Sequence, residues 1–383
     1  MMRTAATALL PVLLLLAGCS WFDSKKQPLS GERISVLSLD RQLEPDPNLA
    51  KIAITLPAPV VNPDWPEAGG YPNHAMQHLS LPEQLTRVWK ASTGEGASRY
   101  TRVLSQPIVA NGRVYAMDGA VQVSAYDAAT GERLWQVDLK PEDERGSSFG
   151  GGIGFWNDRL YASTGYAQVL ALDPADGRVI WRSNVGSPVR SAPTVSDGRV
   201  FAITVETGRP LWSDNLASTR NVDAVSTLAD IRGRPVIDRG RVYAASHSGR
   251  MAAIDLRTGE RAWEQELGGT HSLWVAGDYV YVLSTDNELI CLTRNEGKVR
   301  WVRLLPSYQD EKKRKDPMVW AGPVLGGDRL IVLSSDGGAL SISPYTGEPL
   351  GREEMSGGGY FEPAIADKSL YVLTDDANLS AYR

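Results

Sequence analysis

From about residue 85 onward, apolar and polar residues alternate in short runs separated by turn-forming residues. One run reads Arg113-Val114-Tyr115-Ala116 behind Asn111-Gly112. A second, Val121-Gln122-Val123-Ser124-Ala125-Tyr126-Asp127, comes at once, and a third ends in Arg133-Leu134-Trp135 behind Thr130-Gly131. A period of two turns one face of each run towards an interior, which predicts strands. Gly or Asn/Asp-Gly steps between runs supply the tight turns of antiparallel pairs. The succession returns over residues 158–181, 240–263 and 279–301, each time closing on a tryptophan. A further copy runs from Asp328-Arg329-Leu330-Ile331 to Gly347, with Gly351 where the others have tryptophan. Four short strands per unit, repeated in this way, describe the blades of an all-β fold, a β-propeller.

The ends of the repeat region argue for a closed ring. Leu85-Thr86-Arg87-Val88-Trp89 looks like the last strand of a unit with nothing before it, and residues 368–382 look like a unit with nothing after it. The N-terminal strand is therefore expected to complete the C-terminal blade, removing the exposed edges. Seven units are counted. Trp89, Trp135, Trp181, Trp212, Trp263 and Trp301 mark unit ends and are expected to wedge between neighbouring sheets; their intervals are 46, 46, 31, 51 and 38 residues. The short interval marks a compressed unit around 181–212, where Arg199-Val200-Phe201-Ala202-Ile203-Thr204-Val205 runs straight into Glu206-Thr207-Gly208. Either this blade has three strands or a blade's worth of sequence is missing there.

The segment before the repeats has a different character. Residues 1–18 join Arg3 to an apolar run from Ala5 to Ala17, the pattern of a secretory signal and too short for an ordinary membrane span. Leu16-Ala17-Gly18 before Cys19 resembles the lipobox of bacterial lipoproteins. Cleavage there would leave Cys19 carrying several acyl chains, palmitate among them, which anchor stably where one chain holds only marginally. Ser20 after the anchor, in place of an aspartate retention signal, points to the periplasmic face of the outer membrane. Residues 19–80, with eight prolines between Pro28 and Pro72, read as a tether in which only residues 51–57 alternate; residues 81–383 are the propeller. Cys291 stands where sister strands carry Ala171, Ala253 and Ala381, and reads as a small buried hydrophobe. The formal net charge of −5 argues against nucleic acid as the main partner. The mixed-sign run from Asp310 to Asp316 reads as a solvated loop.

No catalytic residue, metal ligand or cofactor site is expected. His74 and His78 are four apart but have no third ligand at metal-site spacing, and His247 reads as a turn residue. No phosphate loop, dinucleotide fingerprint or nucleophile elbow occurs. The triplets Gly150-Gly151-Gly152 and Gly357-Gly358-Gly359 each precede a blade strand and read as tight entries to the interior. Asp127, Asp173 and Asp255 recur at one turn, and repetition argues that they cap it. The unit Ala-x-Asp-x-x-Thr-Gly-x-x-x-Trp resembles the repeat of pyrroloquinoline-quinone dehydrogenases, which implies quinoprotein-like blades. Those enzymes have a larger, usually eight-bladed domain with a calcium site and often a vicinal disulfide. This chain has no adjacent cysteines, so the resemblance extends to the blades and not to the quinone.

Lipobox, proline-rich segment, orphan N-terminal Trp strand and quinoprotein-like blades together resemble the BamB family, lipoprotein subunits of the outer-membrane β-barrel assembly machinery. The resemblance implies a non-catalytic scaffold that docks on the periplasmic POTRA domains of the barrel subunit and assists folding and insertion of outer-membrane proteins, with unfolded substrates as further partners. The stretch Leu228-Ala229-Asp230-Ile231-Arg232 resembles the family's inter-blade docking loop, Leu-x-Asp-x-Asp. Leu228 and Asp230 match, and Arg232 stands at the second aspartate. The family usually has eight blades, and its second docking loop, Leu-x-Leu-Arg, would fall in the compressed region; Ser187-Pro188-Val189-Arg190 matches it poorly. Two alternatives are a lipid-anchored periplasmic quinoprotein-type enzyme, which would bring acidic residues together at the central channel, and an envelope scaffold for another complex.

Overall fold

The computed structural model describes residues 43–98, 105–146, 150–186, 188–189, 191–196, 199–201 and 233–383. Among them stand six four-stranded antiparallel sheets, the blades of a propeller. Blade 1 comprises Ile108–Ala110, Arg113–Met117, Gln122–Asp127 and Arg133–Asp138; blade 2 comprises Gly151–Trp156, Arg159–Thr164, Gln168–Leu172 and Val179–Asn184. Blade 4 is built from Val236–Asp238, Arg241–Ala245, Met251–Asp255 and Arg261–Gln265, and blade 5 from Trp274–Ala276, Tyr279–Leu283, Glu288–Thr293 and Val299–Leu304. Blade 6 contains Trp320–Gly326, Arg329–Ser334, Gly338–Ile342 and Pro349–Glu354. The compressed unit, blade 3, is represented by Thr194–Ser196 and Arg199–Phe201, a two-stranded sheet. Its continuation, residues 202–232, lies outside the described residues.

Blade 7 has Ala364–Ala366, Ser369–Leu373 and Asn378–Tyr382, and its outer strand is Arg87–Ser92 from the other end of the chain. Trp89 pairs with Ala381 and Lys90 with Ser380, and Thr86 and Arg383 exchange two backbone hydrogen bonds of 2.7 and 2.9 Å. The ring closes as the orphan strand predicts. Most inner strands are buried, whereas outer strands such as Val179–Asn184 and Pro349–Glu354 are mostly exposed, because the outer strand of a blade stands at the rim of the ring.

In five of the described blades the turn between the first and second strand keeps positive φ at both central residues, as at Asn111/Gly112 (53° and 69°) and Gly327/Asp328 (59° and 58°). This geometry matches the twist of the strands it joins. At the later turn, Asp127 Oδ1 accepts from the backbone N–H groups of Ala129 and Thr130 at 2.9 and 2.8 Å and from the Thr130 hydroxyl. The Thr130 groups hold the Asp127 carboxyl below the usual carboxylate range. The run from Asp310 to Asp316, expected as a loop, is part of an exposed hairpin pairing Tyr308–Asp310 with Lys315–Pro317. The Gly triplets mark close backbone approaches: a Cβ on Gly151 would lie 2.1 Å from Ser163 O. Cys291 is fully buried, and burial pushes its thiol pKa up.

Tryptophans tie four of the blades to the next. Trp89, Trp135, Trp263 and Trp301 lie over the glycines of the following blade's turn, Gly131, Gly177, Gly297 and Gly347, where a Cβ would come within 2.5 to 2.7 Å of the indole. Trp181 is 37 % exposed, and Trp212 is outside the described residues. The exception at Gly351 has a reciprocal cause. By register it is the tryptophan position, since Ser341 pairs with Gly351 as Ala125 pairs with Trp135. Blade 7 has no covalent turn to receive an indole: Thr86, bonded to Arg383 as Glu132 is to Asp127, comes after Leu85 where the other turns have glycine. Gly177→Ala is therefore expected to cost about 1–3 kcal/mol through strain and collision with Trp135. Gly351→Ala, whose Cβ meets nothing within 4 Å, should be neutral or stabilising by up to about 1 kcal/mol. Urea unfolding of the two variants measures the contrast.

The expected tether departs most from its reading. From Leu43 onward the segment is seated on the ring, opening with a short 3₁₀ helix, Pro47–Leu49; residues 51–57 form no strand. Asn62 Nδ2 donates to Ile365 O of blade 7, Trp65 exchanges two hydrogen bonds with Val109 of blade 1, and Pro66 O accepts from Phe155 of blade 2. Asn73 O accepts from Ile237 of blade 4, Gln77 O from the Trp274 indole of blade 5, and Leu79 binds Leu325 O and Gly327 N of blade 6. These residues cross the mouth of the ring and join the innermost strands of six blades. The prolines keep the segment from forming a strand ladder, and single contacts to each blade satisfy its backbone instead.

Candidate functional site

The polar centre of the described structure lies on the ring axis. The stretch from Glu67 to Gly70 folds into a tight turn, with each end residue accepting the other's N–H at 2.9 and 3.0 Å, and the turn dips into the ring. Gly69 N–H donates to Gln106 Oε1 at 2.7 Å. Gln106, Arg234, Ser272 and Glu362 each stand two residues before the innermost strand of blades 1, 4, 5 and 7. That shared position delivers them to one place.

Glu362 is the hub and is 6 % exposed. Its Oε1 accepts from Ser272 N–H at 3.1 Å and lies 3.3 Å from His271 Nδ1, while Oε2 accepts from Gln106 Nε2. Burial pushes the Glu362 carboxyl up, but the bond and charge of His271 and the charge of Arg234 more than reverse this, to about 2. His74 comes from the strap across the ring mouth. Its Nδ1–H donates to Pro235 O at 2.9 Å, and burial lowers its pKa to about 4. His78 uses both nitrogens on backbone, Nδ1 on Pro57 O at 2.8 Å and Nε2 on Asp328 N–H at 3.1 Å. The two histidines are thus braces of the strap.

These residues do not fit a quinone with its metal. Both oxygens of Glu362 are committed to protein donors, and the Glu67–Gly70 turn is packed against Gln106 and Arg234. Among the described residues no three His, Cys, Asp or Glu side chains converge as metal ligands.

The sequence-derived docking residues Leu228, Asp230 and Arg232 lie outside the described residues, as does Cys19. The next two residues along the chain, Gly233 and Arg234, are fixed at the axis. Gly233 is so close to the His271 backbone that a Cβ would lie 2.2 Å from its carbonyl oxygen, and Arg234 N–H reaches Ser272 Oγ at 3.4 Å. Sequence reasoning missed Gln106, Arg234, His271 and Glu362, although aligning the repeats on their inner strands puts three of them in one column.

The family model described as outer membrane protein assembly factor BamB matches residues 82–144, 119–205 and 197–303. The chain belongs to the BamB family. A relative from Alkalilimnicola ehrlichii, named outer membrane protein assembly factor BamB, is 30 % identical over 345 residues, which cover 77 % of this chain and 88 % of that protein. In fold, the chain is similar to the crystal structure of BamB from Moraxella catarrhalis, with a TM-score of 0.52 at 20 % identity over 78 % of this chain and 100 % of that one. It is also similar to quinohemoprotein alcohol dehydrogenase from Comamonas testosteroni, with a TM-score of 0.51 at 14 % identity, over 84 % of this chain and 80 % of that one. This chain thus shares its blade architecture with both structures.

Proposed function

We propose that this protein is a non-catalytic scaffold in outer membrane protein assembly. It is held on the periplasmic face of the outer membrane by acyl chains on Cys19. It docks on the periplasmic POTRA domains of the barrel subunit through the loop carrying Leu228, Asp230 and Arg232. Family membership is the observation that carries the reading. The axis adds a physical argument. A docking loop is effective when its conformation is ordered before binding, since ordering it afterwards costs affinity. Here the residues immediately after Arg232 are pinned to the Glu362 centre, which gives the loop a rigid foot.

Affinity purification of the full lipidated protein from detergent-solubilised envelopes, beside Asp230→Arg, tests this. The parent should bring down the barrel-assembly subunits, and reversing the charge at 230 should weaken recovery about tenfold or more with an unchanged melting temperature. A folded parent that recovers none of them would end the proposal.

A further inference from the structure

Between Lys51 and Asp64 the chain carries no charged residue, and every exposed residue of that stretch except Thr55 is apolar. Ile52 and Val60 are each 54 % exposed, and Val61 is 48 % exposed. On the outer strands, exposed aliphatic residues stand singly, as Val88, Leu134 and Ile180 do at the position before the tryptophan. Here they follow one another along a single strip. The strip is fixed from below, because Ile54 is buried in the largest apolar cluster and Leu56 packs against it.

The strip runs over the first turns of blades 5, 6 and 7. A Cβ on Gly277 would lie 3.1 Å from Pro57 Cδ, Val60 N–H donates to His78 O at 3.0 Å beside the contact of Leu79 with Gly327, and Asn62 O accepts from Asp367 N–H at 2.8 Å. The chain also arrives from its N-terminal side at this end of the ring. Asp46 N–H donates to Val299 O at 2.9 Å, and Arg300 donates to Leu49 O and Ile52 O. Val299 opens the outer strand of blade 5, and Leu304 closes it at the opposite end, where the hairpin of residues 308–317 follows. The peptide groups of the strip suit a medium poor in water, where an unpaired one would be costly. Pro57, Pro59 and Pro63 have no N–H, Val60 O accepts from Ser80 N–H at 2.7 Å, and Pro57 O accepts from His78 Nδ1–H at 2.8 Å.

We infer that residues 52–61 lie on a lipid surface, in the headgroup region of the bilayer that carries the protein. The contact rests on the anchoring proposed at Cys19. Only residues 20–42 separate Cys19 from the described chain, which joins the ring on the strip's side. Anchoring makes the contact an intramolecular step, with an effective concentration on the order of mM for a short linker. A strip too weak to hold a vesicle by itself therefore stays in contact once the acyl chains are inserted. The first-turn end of blades 5 to 7 faces the bilayer in this arrangement, and the hairpin at 308–317 points away from it.

Depth-sensitive fluorescence of the full acylated protein in vesicles of phosphatidylethanolamine and phosphatidylglycerol tests the inference. Cys291 is fully buried, so a nitrobenzoxadiazole probe can be attached at Val60→Cys or, as the control, at Gln309→Cys, an exposed position in the hairpin. At 60 the emission should shift to the blue and fall about twofold or more with a nitroxide-labelled lipid, as for a side chain ~5–10 Å deep in the interface. At 309 neither change should occur. Val61→Asp should bring the quenching at 60 towards the level at 309 while flotation with the vesicles stays complete. Protein that does not float would remove the anchoring at Cys19, and this contact with it. Floating protein with equally water-like probes at 60 and 309 would overturn the contact alone. So would a blue shift at 60 without quenching, since protein rather than lipid would then cover the strip.

Discussion

Trp65→Ala is expected to lower the unfolding free energy by about 3–5 kcal/mol, the range for truncating a large aromatic side chain in a packed interior. Trp65 is 1 % exposed and lies in the largest apolar cluster, stacked on Trp274 with ring centroids 6.3 Å apart and planes 17° apart. Its backbone is bonded to Val109 in blade 1, while Trp274 belongs to blade 5, so the ring joins inner strands from separate parts of the propeller. A cavity at that point would loosen the strap as well as remove contacts. Its Nε1–H has no partner among the described residues, so Trp65→Phe should cost no more than about 1.5 kcal/mol. Trp181→Ala is the second control. That ring is 37 % exposed and should be worth clearly less, although its place in the repeat equals that of Trp135. Guanidinium unfolding of the three variants gives the ranking; Trp181→Ala equal to Trp65→Ala would contradict the burial argument.

That ranking shows where sequence reasoning is strong and where it is weak. Blade architecture was legible because one device is repeated: an apolar alternation, a left-handed two-residue turn, an aspartate-capped turn and a tryptophan. Each copy strengthens the inference from the others. Ring closure was legible for the same reason, since Leu85 to Trp89 looks like a strand whose unit lies elsewhere. Residues 57–81 have no such redundancy. They touch six blades through single, dissimilar contacts, among them Asn62 to Ile365, Trp65 to Val109 and Gln77 to Trp274, and no period connects them. Proline content correctly signals the lack of a strand ladder, but it does not distinguish a loose chain from one fastened by many separate bonds. The axial centre was hidden in the converse way. Gln106, Arg234 and Glu362 hold equivalent places in different blades, but their side chains differ because they complement one another across the axis. Gly351 was visible as a departure, and its reason emerges only when the turn it faces proves to be built from two chain ends.

Glu362→Gln should also be costly, by about 2–4 kcal/mol. Truncating one partner of a fully buried ion pair costs about 3–5 kcal/mol because the other charge is left uncompensated. His271, whose Nδ1 lies 3.3 Å from the carboxylate, is only partly buried, so water recovers part of that loss, whereas the hydrogen bonds from Gln106 and Ser272 become weaker when the acceptor loses its charge. The pH dependence separates this effect from a packing defect. The folded Glu362 pKa of about 2 lies below the ordinary glutamate value of about 4.3. Its stabilisation is therefore fully present above that ordinary value and is lost as pH falls through about 2. His74 acts in an adjoining window: its folded pKa of about 4 lies below the free value of 6.5, so its buried neutral form loses stability as pH falls between the two. Burial raises Asp118 and gives the opposite slope, which makes the parent's own acid curve a composite. His74, Asp118 and Arg234 are present in both proteins, so the difference between parent and Glu362→Gln isolates the carboxylate to first order. That difference should be constant from pH 7 to about 5 and narrow steadily towards pH 2. A difference that persists undiminished at low pH would mean that Glu362 contributes through shape, and that Gly233 and Arg234 are held at the axis by packing rather than by charge.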